Sequence, residues 1–118
     1  MAETRTVHGT ILLPAIDLPD VAAKVVVQVE DVSRADAPST VVGEQSLKGV
    51  RLQKGAVVPF TITLPAAAVD ERSSYSVRAH IDVSGSGKVE VGDLVSTQSH
   101  PVLTRGSGDE AVVPVKRV

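Results

Sequence analysis

The chain has 118 residues and a formal charge of −2, from 12 basic and 14 acidic side chains scattered along its length. That length fits one domain, residues 1–118, and the scattered charge offers no basic face for nucleic acid. Cysteine is absent and Phe60 and Tyr75 are the sole aromatics, which excludes disulfides, thiolate metal sites and a base-stacking platform.

The start, "MAETRTVHGT", has an acid at Glu3 and no apolar core, so it does not read as a signal peptide. "TVHGTILL" then opens a two-residue period, with Val7, Gly9, Ile11 and Leu13 on one face. "AKVVVQVE" continues it by turning Val25, Val27 and Val29 inward. The insert "SRADAPS" separates this strand from "TVVGEQSL". It is too long for a tight hairpin and reads as a crossing between sheets, with Pro38 fixing its own φ and extending Ala37.

"VPFTITLP" sends Val58, Phe60, Ile62 and Leu64 one way, and "PAAAVDERS" offers a short helical turn near residues 66–72. "YSVRAHIDV" is the clearest strand, alternating Tyr75, Val77, Ala79, Ile81 and Val83 with polar residues. Tyr75 opens it as a tyrosine corner would, or as an ordinary core tyrosine. Weaker strands are expected at "KVEVGDLVSTQ" and "EAVVPVKRV". "SGSGK" and "RGSGDE" supply glycines for positive-φ turns. Pro59 and Pro114 inside strands place those strands at edges or bulges. The pattern predicts an all-β fold, a single antiparallel β-sandwich of about seven strands, Ig-like or prealbumin-like. No apolar run reaches the ~18 residues of a membrane span.

No chemistry-bearing constellation stands out. His8 and His80 fall on the polar phase of their strands, and neither they nor His100 share a metal-ligand spacing. "GSGK" lacks the full phosphate-loop pattern and precedes a strand. Asp31, Ser33 and Asp36 could collect a hard cation, but turn chemistry explains them as well. Asp70 with Glu71, and Asp109 with Glu110, read as solvated loops. We therefore expect no enzyme, no metal and no cofactor. Leu12, Val26, Val42 and Val57 lie on the outer phase of their strands and form a candidate partner surface.

The segments "VEDVSRADAPSTVVGEQ", "VPFTITLP", "YSVRAHIDV" and "HPVLTRG" together resemble the YbaY/YscW-type family, from about residue 5 to the end. That family comprises small bacterial lipoproteins and includes type III secretion pilotin chaperones. The resemblance implies a β-sandwich in the cell envelope, behind a signal peptide and a lipidated cysteine, and no catalytic residue. It also implies, for the pilotin members, that a secretin subunit is held by its C-terminal segment. This sequence shows neither leader nor lipobox cysteine. The expected location is cytoplasmic if Met1 is the native start, and periplasmic or envelope otherwise. The expected function is a non-enzymatic, chaperone- or pilotin-like module holding a segment of a protein partner. The alternative is a structural module that self-associates, as a homodimer, through open sheet edges.

Overall fold

Valine-rich alternation gives strands because β-branched side chains fit a pleated, half-buried surface. The computed structural model describes residues 3–15, 18–34 and 36–118. Its long strands are β1 (Thr4–Leu12), β2 (Val21–Asp31), β3 (Thr40–Arg51), β4 (Val57–Pro65) and β5 (Tyr75–Asp82). Shorter ones follow: β6 (Leu94–Val95), β7 (Pro101–Val102), β8 (Glu110–Pro114) and β9 (Lys116–Arg117). A 3-10 turn at Ala66–Ala68 is the helical turn expected there.

The strands form a β-sandwich of two sheets. The smaller has the order β4-β1-β8, and the larger β3-β2-β5-β6-β9, with β7 pairing β5. Pro59 and Pro114 fall on β4 and β8, the two outer strands of the small sheet, where a missing N–H is tolerated. Pairing is antiparallel except between β1 and β8, which run parallel. Gly9 makes that pairing possible, because a Cβ there would stand 1.8 Å from the Ala111 carbonyl oxygen.

The predicted inward faces meet between the sheets. Val25, Val27, Val29, Val77, Ala79 and Ile81 pack against Val7, Ile11, Phe60, Ile62, Leu64 and Val113, all within one buried cluster. Each buried large aliphatic contributes about 1.5–3 kcal/mol, and together they hold the layers face to face. On one side the layers meet at β3 and β4. Gly43 sits so close to Ile62 that a Cβ would be 2.9 Å from its Cγ2. Gln45 Oε1 takes the Thr61 N–H at 2.9 Å. On the other side the chain itself crosses, pairing with β1 through β8 and with β6 through β9.

Two expectations fail. "SRADAPS" does not carry the chain between sheets: β2 and β3 are antiparallel neighbours in one sheet. The connection also docks on the turn that leads into β5. Asp31 Oδ1 accepts from the Ser33 hydroxyl and N–H, and Ser33 Oγ accepts the Ser74 N–H at 2.8 Å. These bonds from Ser33 hold the Asp31 carboxyl below the usual carboxylate range. Ala35, inside the insert, lies outside the described residues. The second failure is "KVEVGDLVSTQ", of which two residues form β6. Residues 83–93 instead make a strap between β5 and β6, with Gly85, Gly87 and Gly92 at positive φ.

Tyr75 is a tyrosine corner. Its hydroxyl accepts the Asp70 N–H at 2.8 Å and donates to the Ala68 carbonyl at 3.3 Å. It thereby fixes the bend between β4 and β5 while its ring stays in the core.

Candidate functional site

The outer face of the small sheet carries an exposed apolar surface. β1 and β4 place Leu12 directly opposite Val57, and β1 and β8 place Leu12 opposite Pro114. The next row along is Pro59, Thr10 and Val112. Leu12, Val57 and Val112 are 37%, 51% and 50% exposed, and both prolines are exposed. Alternation explains the arrangement: every residue here is out of phase with the buried Ile11, Val58 and Val113. A third row, Thr61, His8 and Glu110, is polar, and His8 Nδ1 lies 3.8 Å from Glu110. The face is therefore an apolar end bounded by a polar row.

Of the four residues expected on a partner surface, the fold brings Leu12 and Val57 together. Val26 lies on the outer face of the other sheet, between Ser46 and His80. Val42 is half-buried against the core. Outer phase identifies a side chain's direction, but strand period alone does not say which sheet it belongs to.

Sequence reasoning missed the most organised polar group. Asp82 and Asp93 are 1% and 2% exposed, although Asp82 falls on the polar phase of β5. Gly85 N–H and Gly87 N–H each donate to Asp82 at 2.9 Å. Val83 N–H and Glu90 N–H donate to Asp93 at 3.0 Å, and His80 Nε2 lies 2.9 Å from the same carboxylate. Burial pushes the Asp93 carboxyl up, but the His80 and backbone hydrogen bonds outweigh it and hold the group below its usual range. His80 is thus half-buried and not the exposed strand histidine its phase suggested. One available signal was an aspartate at each end of a glycine-punctuated run, from Asp82 to Asp93.

His80, Asp82 and Asp93 could together offer ligand atoms to a metal ion, within 4.8 Å of one another. All their carboxylate oxygens already accept backbone N–H groups. Through those bonds the two carboxylates clasp the strap to the end of β5. His100 stands apart. Its Nε2 is buried without a partner among the described residues, and desolvation holds the ring below the usual histidine range.

Asp70 and Glu71, with Asp109, are exposed and lie near arginines: Arg72 to Asp70 at 3.4 Å, and Arg5 to Glu71 and Asp109 at 3.8 and 3.4 Å. The backbone N–H and side chain of Arg72 hold the Asp70 carboxyl below its usual range. Surface pairs of this kind contribute little to stability. No helix among the described residues is long and apolar enough to cross a membrane.

Three comparisons bear on this arrangement. The model of a family described as type III secretion system lipoprotein chaperone (YscW) matches residues 2–115. No curated protein matches. Among solved structures, the chain is similar to an alternative pilotin from the type II secretion system of Vibrio cholerae. That likeness has a TM-score of 0.74 and 23% identity, and covers 98% of each chain.

Proposed function

The chain belongs to the type III secretion system lipoprotein chaperone (YscW) family, and on that premise we propose that it is a non-enzymatic, pilotin-like binding module. It holds a segment of a partner protein, which we take to be a secretin-like subunit, as the resemblance to pilotin chaperones implies. The observation that carries this reading is the family match over residues 2–115. The apolar end of the small sheet, with Leu12 opposite Val57, supplies a surface that such a segment could cover. Burying the exposed parts of these side chains would stabilise a complex at roughly 25 cal/mol per Å². Rim residues such as Thr61 and His8 would set orientation more than affinity.

Titration with a labelled C-terminal segment of a secretin, taken from the genome that encodes this chain, tests the reading. Saturable binding is expected, and Leu12→Ser with Val57→Ser should weaken it about tenfold, as the loss of ~1.4 kcal/mol of apolar contact would. Both positions are surface-exposed, so the variant keeps its fold, which circular dichroism checks. No binding, or binding indifferent to the two substitutions, overturns the proposal at this face.

A further inference from the structure

The outer face of the large sheet carries a concavity, whereas Leu12 and Val57 lie on the small sheet. It has a volume of about 300 Å³, with Lys24, Val26, Arg78 and His80 in its lining. The strap adds a wall through Gly87 and Val89. The clasp of Asp82 and Asp93 holds that wall in place by four backbone hydrogen bonds.

The charges of this face are unusual for a sheet surface. Lys24 lies directly opposite Lys48 across β2 and β3, and like charges in that position are destabilising. Among the described residues no ion pair involves Lys24, Lys48 or Arg78. The one acid beside Lys24 in register, Asp82, is buried and committed to Gly85 and Gly87. Glu44 is the remaining solvent-facing acid of the lining, and it accepts the Gln28 side-chain amide at 3.0 Å.

We infer that this groove binds an extended acidic peptide segment, with one carboxylate on Lys24, one on Arg78 and an apolar side chain between them on Val26. The register gives the spacing. Lys24 and Gln28 are two outward positions apart on either side of Val26, and Arg78 stands opposite Gln28. Four residues of strand span about 13 Å. A peptide in the same extended geometry reproduces that span with acid, apolar and acid side chains at every second position. The floor is formed by β2 and β5, neighbouring strands about 5 Å apart. The inference goes beyond the small-sheet reading and does not depend on it.

The probe is a labelled serine peptide with a central valine and two glutamates, one serine separating each glutamate from the valine. Its control carries glutamines in place of the glutamates. Fluorescence anisotropy at low salt should show binding of the acidic peptide alone, weakening as salt screens the charges. Lys24→Gln and Arg78→Gln should each weaken it about fivefold, as loss of a ~1 kcal/mol charge contact would. Glu44→Gln should strengthen it, since it removes repulsion and keeps the acceptor for Gln28. Leu12→Ser should leave it unchanged, which separates failure of this groove from failure of the small-sheet face.

Equal binding of the glutamine control overturns the inference, and so does indifference to Lys24→Gln and Arg78→Gln. A third outcome overturns it as well: anionic phosphatidylglycerol vesicles bind through Lys24 and Arg78 while the peptide does not.

Discussion

Leu103 holds a backbone angle that side-chain-bearing residues avoid, with φ at 73°. Thr104 N–H donates to the Val102 carbonyl at 2.9 Å, closing a γ-turn of the rare positive-φ kind around it. Only 5% of Leu103 is exposed, so the turn exchanges local strain for a core contact. The magnitudes decide which effect wins. Removing a buried leucine side chain costs about 2–5 kcal/mol, whereas a positive φ costs a residue with a Cβ about 1–2 kcal/mol. Leu103→Gly should therefore destabilise the protein despite relieving strain. Leu103→Ala should be worse still, since it loses the side chain and keeps the strain. Glycine's greater freedom in the unfolded chain, about 0.4–1 kcal/mol, narrows this difference without reversing it. Urea unfolding of the two variants reads the order directly, and an alanine variant more stable than the glycine one would refute the strained-turn account.

The strap shows how one element can be built from polar side chains where the sequence suggests a strand. Asp93 is 2% exposed and ties Val83, Glu90 and His80 to one carboxylate. Because its folded pKa lies below the unfolded value, its contribution is present above the unfolded pKa, near 4. It disappears as pH falls through the lower folded value. Asp93→Asn should cost about 2 kcal/mol near neutral pH, the scale of hydrogen bonds to a buried charge. Thermal melts from neutral to acid should show that gap closing below about pH 4. A gap constant with pH would mean that the charge is not what holds the strap.

The contrast with β2, β4 and β5 explains what was legible. Those strands have one buried face, so solvent and core write their alternation into the sequence. Val89 and Val91 alternate in the same way but are 49% and 91% exposed, because glycine turns and two aspartates bent the chain before it could pair. Leu12 and Val57 were legible by phase. Their adjacency was not, since it depends on β1 and β4 pairing across nearly half the chain. The groove around Val26 was hidden for the same reason.

At the scale of the whole molecule, the C-terminal strand locks the sandwich shut. β8 pairs β1 in the small sheet, β9 pairs β6 in the large one, and Val118 N–H reaches the Asp93 carbonyl at 2.8 Å. A single close approach, Gly9 against Ala111, lets β8 lie flat on β1. Gly9→Ala would drive a methyl into the Ala111 carbonyl, which neither backbone can accommodate without shifting. The expected cost is about 1–3 kcal/mol, the usual scale of overpacking. If β8, β9 and the strap open as one cooperative unit, amide protection at Val113, Val118 and Asp93 should fall together. The interior amides of β2, packed between β3 and β5, should keep theirs. Hydrogen exchange on the variant resolves these positions. A uniform loss across both sheets would show that closure is inseparable from global stability, whereas the selective loss expected here makes Gly9 the hinge between a small-sheet contact and the strap that walls the groove.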